Sequence, residues 1–443
     1  MANDKDFVVN GPVVVGKDTK VTVGTVTSGA VDLSTGNYFT DSPSGDYTYT
    51  FTNPGSVQAF QIEATGGSAA VASTFSTTLY TGNGGSTTTI TNNIDLLGDG
   101  GLVWIKARTS AENHALFDTE RGVTKILSSN LADAESTNTG TLTNFYSNGF
   151  KVDGNGTVGS STDPYVSWTF KKQAKFFDIQ TWTGDGTSSR NISHNLGVIP
   201  GMIIVKWYNE ASQNWTVYHR GFNGGTDPED YGAYLNTTMA PINESSFWYD
   251  TAPTSTNFTI GNNNNSTYGG GGQYIAYIFA HDTASDGLIQ CGSYTGTATS
   301  VAINLGWQPQ WLLIKRSDGV EDWSIVDNVR GMGTDPLVAG LKALTPNTSA
   351  AEESPTYSPI VPSSTGFTAH TGYDARYCAN GGTYVYMAIR SASAPAITWP
   401  TSIEWTQGTT PKTPAEGATD VYTFTTDDGG TTYTGIQSID TAS

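Results

Sequence analysis

Charge is scarce in this sequence. Only 14% of residues are Asp, Glu, Lys or Arg, and 21 basic residues face 40 acidic ones. The net charge of −19 opposes binding to nucleic-acid phosphates and to anionic membrane surfaces, which basic side chains would have to neutralise. Cysteine is nearly absent: Cys291 and Cys378 stand alone, so disulfides are not what holds the fold together. The two fall in one repeat, where pairing and free buried thiols both stay open. Apolar runs such as GMIIVKW (201–207) are far shorter than the ~20 residues a membrane helix needs. The start, MANDKDFVVNG, is charged and has no apolar core after it, so the chain is expected to be made in the cytosol without a secretory signal. No stretch keeps apolar residues at helical spacing over three turns, which argues against helices.

What is abundant is Gly, with 51 residues, together with Ser, Thr, Asn and aromatics at 11%. That mixture suits twisted strands joined by tight turns. The apolar share of 37% fills several small cores better than one large one.

One succession of segments occurs three times. Each copy opens on an aromatic-Thr-Gly: YTGNG at Tyr80, WTGDG at Trp182, YTGTA at Tyr294. A buried-looking strand ending in lysine follows: LVWIKAR (Lys106), MIIVKWY (Lys206), WLLIKRS (Lys315). Next come LFDTERG, WTVYHRG and SIVDNVRG, then a phenylalanine strand at Phe150, Phe258 and Phe367. Each copy closes on an alternating strand, YVSWTF from Tyr165, YIAYIF from Tyr274, YVYMAI from Tyr384. Runs of four to eight such residues between Gly, Asn and Asp turns read as antiparallel strands. The closing strands alternate an apolar face with a mostly polar one, as half-buried strands of a sheet packed on a second sheet would.

The expected fold is therefore all-β, with three tandem β-sandwich repeats at 75–172, 173–283 and 284–394; a jelly roll is one form each could take. The flanks, 28–74 and 395–443, contain strand-like runs but are each too small for a core. They are expected to form one small split β module, entered by an extended arm at 1–27, with the chain returning through SASAPA (391–396).

The flanking segments DLSTGNYF, YTFTN, FQIEATG and AITWPTSIEWTQGTTPKTPAEGATDVYTFTTDDGGTTYTG together resemble a small β module of phage tail-fibre and related virion proteins, there usually uninterrupted. The repeat pattern is similar to an uncharacterised module of marine phage structural proteins, cyanophages among them. The opening NDKDFVVNGPVVVGKDTKVTVGTV is similar to the amino-terminal arms of cyanophage fibre-like proteins. The resemblance covers nearly the whole chain. It implies a tail-fibre-type virion protein that attaches through its arm to other virion proteins, contacts host surface polysaccharide and forms a homo-oligomer, a trimer in that family. A capsid decoration or capsid fibre protein is the alternative; a glycan-degrading tailspike or a bacterial adhesin stands further off.

Chemistry is hard to place. Asp118, Glu120 and Arg121 of LFDTERG suggest an acid, a base and an anion clamp. Aligned on Arg-Gly, however, Glu120 faces His219 and Val329, Asp118 has a counterpart, Asp327, only in the third copy, and Arg121-Gly122, Arg220-Gly221 and Arg330-Gly331 alone recur in all three. A catalytic group is needed once, a fold-maintaining group in every copy, so these pairs are expected to be structural latches. The five histidines show no metal-ligand spacing, no Gly-x-Ser-x-Gly elbow occurs, and Asn- and Asp-rich turns such as DGNG lack the spacing of a calcium loop. No catalytic residue, cofactor or metal is assigned, and the chain is not expected to be an enzyme. For sugar stacking the candidates are Phe247, Trp248 and Tyr249 of ESSFWYD, in a region that differs between copies.

Overall fold

The structure is a computed structural model that describes residues 23–27, 30–41, 47–55, 58–65, 70–187, 189–263, 270–284, 286–391, 397–406, 408, 410–411 and 419–440. Most of the 1–27 arm and of the SASAPA return lies outside them. Among the described residues the fold is all-β, with 3₁₀ turns at Ala70–Ser73, Phe222–Gly225 and Pro228–Asp230 and no α-helix.

The chain divides into two compact units, residues 1–69 with 393–443, and residues 70–392. In the first unit, strand Gln58–Thr65 pairs antiparallel with Thr419–Thr426, from Thr65 opposite Thr419 to Gln58 opposite Thr426. These two strands, from opposite ends of the sequence, lie at the middle of an eight-stranded sheet. Phe39, Phe60, Ile62, Trp399, Tyr422 and Phe424 fill its core, which draws on both halves of the chain. Residues 70–74 belong to the second unit, not to this one: Lys171 donates its backbone N–H to Thr74 at 2.9 Å.

The second unit, the body, has three lobes. In the first, strands β1 (Phe75–Thr81), β2 (Gly101–Ala107), β3 (Ala115–Asp118) and β4 (Pro164–Lys171) form an antiparallel sheet in the order β1-β4-β2-β3. In the second, β5 (Phe177–Thr183), β6 (Pro200–Trp207), β7 (Thr216–His219) and β8 (Gln273–Ala280) run β5-β8-β6-β7. In the third, β9 (Ile289–Thr295), β10 (Pro309–Arg316), β11 (Ser324–Asp327) and β12 (Thr383–Arg390) run β9-β12-β10-β11. The same order thus occurs three times. A smaller sheet built on the phenylalanine strand accompanies each, with three strands in the first and third lobes and two in the second.

The closing strands are not half-buried. Both faces of β4 are covered: Tyr165 packs into its own lobe's core, while Phe170 meets Phe279 at 5.5 Å and Trp311 at 5.9 Å between ring centroids, one from each other lobe. The polar face, with Ser167 and Thr169, looks into the sandwich; the apolar face looks toward the neighbouring lobes. Each large side chain buried there stabilises the assembly by about 2–3 kcal/mol, so the lobes form one body.

Candidate functional site

The most developed polar arrangement lies where the lobes meet. Strand β3 ends at Asp118, and the chain then turns through Gly122 at φ 90°, a left-handed conformation that glycine adopts without strain. The turn brings Arg121 back over the strand. Its backbone N–H donates to Asp118 Oδ1 at 2.8 Å, its Nε to Oδ2 at 2.6 Å and its Nη2 to the Leu116 carbonyl at 3.0 Å. Nη1 reaches Glu135 at 3.1 Å, and the Tyr277 hydroxyl of the second lobe donates to Asp118 Oδ2 at 2.8 Å. Burial pulls the Arg121 guanidinium down, but Asp118 beside it more than reverses this, so Arg121 stays charged.

The third lobe repeats the arrangement. Arg330 donates through its backbone N–H and Nε to Asp327 at 2.8 and 2.6 Å, through Nη2 to Ile325 at 3.0 Å and through Nη1 to Glu352 at 3.3 Å. Here the donor from a neighbouring lobe is Trp168 Nε1, 3.1 Å from Asp327 Oδ2. Gly331, at φ 131°, closes the turn.

The second lobe does not. His219 pairs across its sheet with Met202 as Asp118 does with Leu102 and Asp327 with Trp311, so His219 stands where the other lobes carry aspartate. Its turn is shorter, and Gly221 sits at φ −91°. Arg220 has no side-chain hydrogen bond or ion pair among the described residues. The Arg-Gly alignment therefore misplaces His219 opposite Glu120, and the latch expected at Arg220-Gly221 is not formed. Instead, His219 Nδ1 accepts from Gly221 N–H at 3.0 Å, and Nε2 lies 3.0 Å from the Tyr386 carbonyl of the third lobe. With Nδ1 accepting, the ring's proton is on Nε2 and is donated to Tyr386.

A second set of contacts runs around the same body. Trp215 Nε1 donates to Ser128 and Leu131 of the first lobe at 2.9 and 3.1 Å, and Trp323 Nε1 to Tyr234 of the second lobe at 3.1 Å. The corresponding first-lobe position, just before its third strand, is His114, whose Nε2 lies 3.1 Å from the Thr345 carbonyl of the third lobe. Trp104 donates to His114 Nδ1 at 2.9 Å, which places that proton on Nε2 as well. The contacts run head to tail from lobe to lobe and close into a ring. Burial holds both histidines neutral, with pKa values near 3.

The lysines ending β2, β6 and β10 are fully buried, and their ammonium groups bond to backbone carbonyls. Lys106 donates to Ala107 and Ser110 at 2.7 and 3.1 Å, Lys315 to Arg316 and Gly319 at 2.6 and 3.2 Å, and Lys206 to Gln213 and, in the first lobe, Ala132. Burial pulls each down to about 8.

The body matches a known family as a whole. The chain belongs to the family described as domain of unknown function DUF7483. Its family model spans residues 71–393, nearly the limits of the compact body, so one DUF7483 region takes in all three lobes. No curated protein matches the chain.

Within the DUF7483 body, two of the three residues proposed for sugar contact are interior. Phe247 and Trp248 are 0% and 1% exposed, and only Tyr249, at 49%, faces out. The 244–250 loop folds inward: Trp248 packs on Phe258 and Tyr218 and donates to the Tyr231 carbonyl at 3.1 Å. Glu120 is held at the surface by Lys172 at 2.6 Å, apart from the latch. Cys291 and Cys378 are both free and buried. Among the described residues, no group of three or more His, Cys, Asp or Glu side chains is placed to hold a metal ion. Sequence reasoning matches Asp118 with Asp327 but misses that His219 stands at the same position, and it misses the His114, Trp215, Trp323 set. Counting forward from the repeated lysines, rather than back from Arg-Gly, aligns both once one extra residue is allowed between lysine and third strand in the second lobe.

Proposed function

We propose that this chain is a bacteriophage virion structural protein of tail-fibre type, whose DUF7483 body contacts the host cell surface, by non-covalent binding to glycan. The observation that carries this role is architectural. A three-lobed body is inserted between Gln58–Thr65 and Thr419–Thr426, two paired strands of a small module, so both ends of the body are tethered to one support. Such an insertion suits display of the body by the module. The likeness of that module and of the 1–27 arm to phage virion proteins supplies the setting, with the arm as the attachment to other virion proteins. The recurring charged groups are structural, because Asp118, Asp327, Arg121, Arg330 and the three lysines bond to one another and to backbone in the interior. Tyr249 remains the exposed aromatic available for stacking on a sugar.

Gold-labelled antibody against the body, applied to purified particles, tests the role. Label on the tail is expected. Label over the head would assign the protein to capsid decoration instead, and particles free of label would end both assignments.

A further inference from the structure

Three of the five histidines bond from one lobe to another, and all three bonds involve the third lobe. His114 of the first lobe donates to Thr345, and His219 of the second donates to Tyr386. His281, at the exit of the second lobe, accepts from the Cys291 N–H of the third at 3.1 Å. The boundary between the first and second lobes has no histidine in these roles: Asp118 with Tyr277, and Trp215 with Ser128 and Leu131, hold it.

Both nitrogens of His114 and His219 are already committed, one accepting and one donating. A second proton has to displace Trp104 Nε1–H from His114 or Gly221 N–H from His219, because a protonated ring nitrogen no longer accepts. Nor is the resulting cation balanced. Lys106 of β2 and Arg330 of the third lobe face His114; Arg220, on its own turn, and His281 face His219. Around His281 stand Arg220 and Asp282. Among the described residues, no carboxylate lies within hydrogen-bond distance of the His114 or His219 ring. The Nε2–H bonds to Thr345 and Tyr386 would survive a second proton; what opposes it most is enclosure of the rings, and part of that enclosure is the third lobe, which lies at hydrogen-bond distance from both. Parting the third lobe from its two neighbours therefore admits water to the rings and lets them take up protons.

We propose that the third lobe is a proton-released element: mild acid loosens it from the first and second lobes while those two stay joined. This is independent of what the body contacts. Each histidine that gains a proton on opening raises the opening constant about tenfold per pH unit, and two raise it about hundredfold.

Backbone amides that bridge the lobes read the boundaries separately. Glu135 N–H to Tyr208 and Gln213 N–H to Ala132 report on the first and second lobes. Glu321 N–H to Thr238 and Glu352 N–H to Arg108 report on the third. Hydrogen exchange on the full chain between about pH 6 and about pH 5, corrected for intrinsic rates, should show the opening constant at Glu321 and Glu352 rising at least about hundredfold per pH unit, with Glu135 and Gln213 left behind. In the double variant His114→Gln and His219→Gln, where an amide keeps one acceptor and one donor, the rise should fall to about tenfold or less, from His281 alone. Equal acceleration at all four amides in the unaltered protein overturns the proposal without need of a variant. An undiminished slope in a folded double variant overturns it too.

Discussion

Asp118 and Asp327 each accept two hydrogen bonds from one arginine and a third from a neighbouring lobe. Removing the arginine leaves a buried carboxylate whose charge nothing balances, which destabilises more than the pair itself stabilises. Arg121→Ala and Arg330→Ala should each lower the stability of the body by about 3 kcal/mol. Arg220→Ala, which breaks no such pair, should change it by about 0.5 kcal/mol or less. Calorimetric melting of the three variants checks this; equal losses would mean that the Asp-Arg pairs are not what the arginines supply. The recurrence of Arg-Gly is legible in the sequence. The lack of a partner aspartate in the second copy is legible too, since Asp118 has its counterpart only in Asp327; that His219 takes its place is not, because the shortened turn shifts any alignment made on Arg-Gly.

At the scale of the strand, the repeats are plain to read because strands of this kind are short, rich in β-branched and aromatic residues, and closed by Gly and Asn turns. What the pattern does not convey is burial on the second face. Alternation in YVSWTF predicts one solvated face, yet its apolar face is covered by other lobes and its polar face by its own sandwich, an arrangement set by contacts distant in sequence. The same enclosure acts on the lysines that end β2, β6 and β10. Burial holds each near 8, below its ordinary 10.5, so between these values the unfolded chain carries more protons than the folded one. Stability then rises with pH across this window and is lost as pH falls through 8, by up to about 1 kcal/mol per pH unit for each lysine. Opposing groups set the upper limit. Burial raises Cys291 above its ordinary 9.0 and Tyr80, Tyr277 and Tyr294 above 10.0, so their contribution is lost as pH climbs beyond those values. The melting temperature should therefore increase from about pH 7.5 to about pH 9 and fall above about pH 10. Lys315→Met should remove about a third of the increase; a flat profile in the unaltered protein would show that the lysines are not buried as charged groups.

For the whole molecule, the decisive feature is that two units of independent core share one chain. The flanks each carry strand-like runs but are too short to bury a core, so a split module is readable from the sequence; the pairing of Thr65 with Thr419 gives it a register. Within the body each lobe donates to the next until the ring closes. Cutting at the two crossings should then produce two folded proteins. Residues 70–392 expressed alone should melt cooperatively within a few degrees of the body's transition in the full chain, since its aromatic centre and all three lobe boundaries lie inside that span. Residues 23–65 joined by a flexible Gly-Ser linker to 397–440 should give a small β protein with dispersed amide resonances, because Phe60, Trp399, Tyr422 and Phe424 meet in one core without help from the body. The two experiments constrain each other. If the body folds and the joined flanks do not, the module depends on its insert, and display by a self-standing support fails as an account of the architecture. If the joined flanks fold and the body does not, the ring of lobe contacts is insufficient to hold it, and the latches at Asp118 and Asp327 are less than their geometry indicates.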